Sequence, residues 1–150
     1  MAEPPTEEML AHWRERCDAR FAVELGVVFL AAERAEPEHV APLHELVAVM
    51  AESAHDFPAY RRADVRFHIG LAEAAASPRL VAAMTEVQGQ MSDLIALIAH
   101  PEEVLTHSNA QHERLTHLLR RGDTSRAVRV IREHIEGTEH IIAGLLPRSG

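Results

Sequence analysis

The sequence predicts an all-α fold, an antiparallel helical bundle. Three observations carry that prediction. Prolines and capping residues divide the 150-residue chain into about six segments, and within each the apolar residues recur at spacings of three and four, the period of a helix face. No run alternates apolar and polar residues between turn signals, as a half-buried strand would. The connections left between segments are very short, and short connections make consecutive helices antiparallel neighbours.

The first segment runs from about Met9 to Arg34, with Leu10, Trp13, Cys17, Val27, Val28 and Ala31 near one face. Glu36-Pro37 opens the second, through Val40, Leu43, Leu46, Val47 and Met50, and Pro42 marks either a kink or its real start. Asp56-Phe57-Pro58 opens the third, to about Ala76. Ser77-Pro78 pairs an N-cap residue with a proline at the first helical position, and the fourth helix is expected to reach about Ala99. His100-Pro101 starts the fifth, which closes at Arg121-Gly122 with cations in the last turn, where they suit the helix dipole. Asp123 caps the sixth, carrying Ala127, Val130, Ile131, Ile141 and Leu145.

Composition excludes several chemistries. All 15 basic residues are arginine, so a Schiff-base enzyme, a Gly/Lys/Ser phosphate loop and a Ser-x-x-Lys hydrolase cannot be built. The 7 glycines never form a dinucleotide-binding loop. A formal charge of −8 and 4% aromatics argue against direct nucleic-acid binding, which needs a basic face or stacking platforms. Lone Cys17 cannot form an internal disulfide, and no stretch approaches the roughly 20 apolar residues of a membrane span, so a cytoplasmic protein without membrane contact is expected. What the chain holds in surplus is histidine, 11 residues of it.

Four polar residues stand where apolar ones are due. The third helix has a stripe of Tyr60, Phe67, Leu71 and Ala75 that Asp64 and His68 complete, four apart and so on one face. In the fifth, His112 sits among Leu105, Ser108, Leu115 and Leu119. In the sixth, His134 shares a stripe with Ile131, Thr138 and Ile141. Burying such groups unpaired costs on the order of 2–7 kcal/mol each, and more for a charge. Either they form a hydrogen-bonded core network or they hold an ion, since His/His/His/Asp is chemically a first-row transition-metal set. His12, His39, His44, His55, His100, His107, His117 and His140 fall near caps, termini or outward faces. Glu36-x-x-His39 and Glu52-x-x-His55 nominally match the Glu-x-x-His element of di-iron bundles, but both lie at helix ends and lack matching core glutamates.

Ala63-Asp64-Val65-Arg66-Phe67-His68, followed by Leu71-Ala72-Glu73-Ala74-Ala75 and Ser77-Pro78, resembles the third-helix motif of the FCD domain, the C-terminal effector-binding domain of FadR-subfamily GntR transcriptional regulators. Gln111-His112-Glu113, Leu118, Arg121-Gly122-Asp123, Ala127 and Arg132-Glu133-His134 resemble the closing helices of that family. Arg20-Phe21-Ala22-Val23-Glu24 and Leu30 to Ala35 resemble its opening. The resemblance implies a bundle of six to seven helices over residues 15–146, with an N-terminal arm at 1–14 and a tail at 147–150. It implies a homodimer and a ligand-sensing role with no catalysis. It further implies a divalent transition metal, zinc first and nickel, cobalt, manganese or iron as the other choices, on Asp64, His68, His112 and His134.

By the same resemblance Arg20 receives the carboxylate of a small organic acid effector; on the residues alone it is equally an i,i+4 partner of Glu24. Two substitutions depart from the family pattern: Ser77 stands where asparagine is frequent and Gln111 where an acid is frequent, which affects the groups supporting the metal ligands. The winged helix-turn-helix that usually precedes this domain is not in the sequence, so this chain is expected to make no direct DNA contact, as an excised domain or a stand-alone sensor. The rival functions are a metalloenzyme, for which no general base beyond the ligands is evident, and a purely structural bundle.

Overall fold

The computed structural model describes residues 6–96 and 98–144. Among them the chain forms α1 (Glu7–Arg34), α2 (Pro37–Glu52), α3 (Phe57–Ala74), α4 (Pro78–Ile95), α5 (Glu102–Arg121) and α6 (Thr124–Ala143), and no strand. Residues 7–14, expected as an arm, are helical and continuous with the rest of α1. The side chain of Leu10, residue Leu145 and the tail at 147–150 lie outside the described residues.

The helix ends follow local chemistry. Pro37, Phe57-Pro58 and Pro78 sit in first turns, where a missing N–H costs nothing. Asp56 and Asp123 cap α3 and α6 by accepting from the backbone N–H groups of Ala59 and Arg126, both at 3.2 Å. Ser77 occupies the N-cap of α4 as expected, although its hydroxyl makes no capping bond. α2 starts at Pro37 and passes through Pro42, leaving the carbonyl of exposed Glu38 to water. Glu36-x-x-His39 proves to be a cap: the Glu36 backbone N–H donates to His39 Nδ1 at 3.1 Å. α5 ends on Gly122 at φ 67, a left-handed position that favours glycine, and Asp123 N–H donates back to the Leu118 carbonyl at 3.0 Å. α4 stops at Ile95, short of the expected Ala99. His100 takes over the free end there, its Nε2 donating to the Ile95 carbonyl at 2.8 Å, and Pro101 disfavours helix at the residue before it.

The packing closes a ring: α1 touches α4 and α6, α6 touches α5, α5 touches α2, α2 touches α3 and α3 touches α4. α1 also reaches across to α3 and α5, so it is the helix around which the others gather. At Gly70 a side chain would meet Leu43 Cδ2 at 2.8 Å, so the Leu43 side chain of α2 fills the space that the glycine of α3 leaves.

Along the bundle the interior changes character. One end is a broad apolar core, with Val27, Val28 and Ala31 of α1, Leu71 and Ala72 of α3, Leu115 and Leu119 of α5, and Ala127 and Ile131 of α6. The far end is a smaller cluster of Cys17, Met91, Leu94, Ile95, Ile98 and Ile142. Between them lies a buried polar belt to which α1 contributes Arg20 and Glu24, α3 His68, α4 Gln88, α5 His112 and α6 His134. The α6 stripe turns slightly from expectation: Ile142, four residues after Thr138, is buried, while Ile141 is 37% exposed.

Candidate metal centre

The four stripe residues meet in the belt. One ligand atom from each of Asp64, His68, His112 and His134 lies within 4.8 Å of all the others. Asp64 Oδ1 stands 3.2 Å from both His68 Nε2 and His112 Nε2. Ligand atoms about 2.1 Å from one ion stand roughly 3–4 Å apart, so these separations suit a shared cation. Helical spacing explains the pairing of Asp64 with His68, one turn apart on α3; the α1 axis then brings α5 and α6 onto the same level.

The imidazoles are oriented from behind. His68 Nδ1 donates to Glu24 Oε1, His112 Nδ1 to Asn109 Oδ1 at 3.2 Å, and His134 Nδ1 to Gln111 Oε1 at 2.8 Å. With every Nδ1 proton committed outward, the Nε2 atoms turn inward as lone-pair donors. His68 Nε2, His112 Nε2 and Asp64 Oδ1 are buried and make no hydrogen bond, although they face one another. Buried polar atoms are seldom left unpaired, and three converging on a point fit a divalent transition metal. Gln111, the departure from the family pattern, supplies the oxygen that holds His134.

The electrostatics divide the set. Burial would push His68 down, but the carboxylates of Glu24 and Asp64 flanking its ring raise it to about 9. Burial pushes His112 down, and it pushes His134 well down together with the neighbouring His112 and His68. Burial would raise Asp64, yet His68 and His112 hold it well below the usual carboxylate range. Glu24 is likewise lowered, against its burial, by His68 and Arg20. Near neutral pH His112 and His134 are therefore neutral and Asp64 and Glu24 ionised, as metal binding needs, whereas His68 keeps a second proton that an ion on its Nε2 would displace.

A cavity of about 180 Å³ opens onto this cluster, with Asp64 and His134 on its wall. Phe57, Ile95, Ile98 and Val104 give it apolar sides, and Arg20, Arg61, Ser108, Gln111 and Thr138 its polar groups. Arg20 is 2% exposed; its Nε donates to Glu24 Oε2 at 2.7 Å while Nη1 is buried without a partner. A buried guanidinium N–H with nothing to donate to, on a cavity wall, suits an anionic oxygen. Arg61 Nη1 pairs with Asp64 Oδ2 at 2.7 Å and Nη2 donates to the Gln88 carbonyl at 3.2 Å. His100, stacked on Phe57 with centroids 3.5 Å apart, and His107 also line the cavity.

Sequence reasoning passed over Glu24, Asn109 and Arg61 as supports of the site. Glu24 carried a usable signal, since it falls on the stripe of Cys17, Val27, Val28 and Ala31 and interrupts it as Asp64 interrupts its own. Asn109 lies three residues before His112, and Arg61 three before Asp64, on neighbouring positions of one helix face.

A solved structure, E. coli McbR/YncC, shares the fold with a TM-score of 0.78 at 19% identity. The alignment covers 93% of this chain and 66% of that one, so the chain spans about two thirds of that protein. No curated protein sequence matches. The FCD domain family matches residues 15–137, and by that match the chain belongs to the FCD family of effector-binding regulatory domains.

Proposed function

We propose that this chain is the ligand-sensing domain of a GntR-family transcriptional regulator. It holds a divalent transition metal on Asp64, His68, His112 and His134 and takes a small organic acid from the adjoining cavity. The single observation that carries the proposal is the set of buried, unpaired atoms facing one another, His68 Nε2, His112 Nε2 and Asp64 Oδ1, with each imidazole fixed through its other nitrogen. An ion there supplies positive charge and coordination positions for oxygen. Arg20 Nη1 supplies the hydrogen-bond donor that orients a carboxylate, and the apolar walls set the size of the rest of the acid. Zinc suits three nitrogens and one oxygen, and nickel, cobalt, manganese and iron suit the same donors. A homodimer and cytoplasmic residence belong to the same proposal. No described helix is long and apolar enough to cross a membrane.

Elemental analysis of the purified protein tests it. The wild type should carry about one ion per chain, and His112→Ala and His134→Ala should lose it. A content well below one ion that neither substitution changes would overturn the proposal. For a carboxylate effector, small organic acids should raise the melting temperature of the metal-loaded wild type, because a ligand bound only to the native state stabilises it.

A further inference from the structure

Glu24 is neither a member of the ligand set nor a wall of the cavity, yet it is fully buried, at 0% exposure, between Arg20 at 2% and His68 at 0%. Its carboxylate is divided between two tasks. Oε2 accepts from Arg20 Nε at 2.7 Å, and Oε1 accepts from Nδ1 of His68, 44 residues away in sequence. An i,i+4 ion pair on a helix surface needs no third partner and is worth a few tenths of a kcal/mol. A carboxylate taken wholly out of water is costly unless both oxygens are used, and here the second one is spent on an imidazole of the metal cluster.

We infer that Glu24 is a positioning residue: it fixes His68 with Nε2 toward the ion and is itself fixed by Arg20, so the cavity arginine acts on the metal ligand through Glu24. The inference rests on the metal proposal above. Of the three imidazoles only His68 has a charged acceptor behind it, since His112 and His134 use the amide oxygens of Asn109 and Gln111. Charge-assisted bonds are roughly twice as strong as neutral ones, which makes His68 the most firmly oriented ligand. Arg20 holds the far oxygen of the same carboxylate. Without it Glu24 keeps one anchor, regains rotamer freedom and holds the imidazole less well.

A double-mutant cycle on zinc affinity, measured by competition with a chromophoric chelator, tests this with the metal alone. Glu24→Gln should weaken zinc binding about 10–100-fold, the usual cost of losing a group that orients a metal-bound histidine. Arg20→Gln should weaken it several-fold, and the double variant should be no weaker than Glu24→Gln. In the zinc-loaded wild type the His68 Nδ1 proton should resonate far downfield, and Glu24→Gln should move it upfield, a change that loss of packing alone does not produce. Wild-type affinity in Glu24→Gln overturns the inference. So do losses that multiply in the double variant, and so does tighter binding by Arg20→Gln, which would mark simple through-space repulsion of the cation. If Glu24→Gln does not fold, Glu24→Asp replaces it, retaining the charge but one methylene short of reaching both partners, with the same expected loss and the same overturning result. A wild type that binds no zinc removes the metal proposal and this inference together, a result distinct from a zinc-binding wild type matched by its Glu24 variant.

Discussion

α1, α3, α5 and α6 each cross two regions of opposite character. In the broad core they present Val28, Leu71, Leu115 and Ile131, all at most 1% exposed; in the belt they present Glu24, His68, His112 and His134. Backbone, neighbours and burial are alike in the two regions, and only the side chains differ. Burial of apolar surface stabilises by roughly 25 cal/mol per Å² and needs no partner. Burial of imidazole and carboxylate stabilises nothing until each polar atom is satisfied. The core therefore holds the bundle together, and the belt adds stability only where its polar atoms find partners.

The largest effect expected from this contrast is in the core. Leu71→Ala should cost about 3–5 kcal/mol of unfolding free energy, the usual range for a buried leucine in a site that cannot collapse, with or without zinc. His112→Ala should cost the metal-free protein less, yet abolish the stabilisation by zinc, about 2.7 kcal/mol at a hundred times the dissociation constant. Urea unfolding of both variants, with zinc and with chelator, makes the comparison. Equal losses in chelator would break it, because the belt would then be as important to folding as the core.

Next in size is pH, whose largest effect should fall on the belt. In the metal-free protein His68, raised to about 9, contributes stability that is fully present below its ordinary value of 6.5 and lost as pH climbs through 9. His112 and His134 are lowered, so their contribution has the opposite sense: it is present above 6.5 and lost in acid, as the unfolded chain takes up protons that the folded one refuses. Stability should thus peak near neutrality and fall on both sides. Between pH 7 and pH 9 the loss should be on the order of 2 kcal/mol. Urea midpoints at the two pH values check it, and His68→Gln should flatten the alkaline fall. A fall that persists unchanged in that variant would locate the titrating group elsewhere.

The same contrast explains what was legible in the sequence. Helices and their starts follow from proline, caps and period, because those signals act on the residues that carry them. Asp64, His68, His112 and His134 were legible because each interrupts an apolar stripe. Glu24 interrupts a stripe too, but Arg20 four residues earlier offers it a complete surface explanation; only the tertiary approach of α3 to α1 shows that its other oxygen serves His68. The end of α4 is not legible for a related reason. The helix ends at Ile95, where the His100 side chain takes the Ile95 carbonyl and its ring stacks on Phe57 from the start of α3. Three and four are both helical spacings, and the structure puts Ile142 in the far apolar cluster with Cys17 and Met91 while Ile141 lines the cavity.

The smallest effect separates backbone preference from the function of the belt. Gly26 and Gly137 both lie inside helices, and a Cβ at either would meet nothing within 4 Å. Alanine at each should therefore stabilise by about 0.5–1 kcal/mol, through the lower entropy of the unfolded chain and better helix propensity. The two positions differ in what surrounds them, for Gly137 lines the cavity, one turn from His134, and Gly26 does not. Gly26→Ala should leave the melting-temperature response to small carboxylates as in the wild type, while Gly137→Ala should gain the same stability and respond less, because its methyl group takes up room on the cavity wall. Equal responses would mean that bound acid does not reach the α6 wall at Gly137, and would confine it to the Arg20 and Ser108 sides of the cavity.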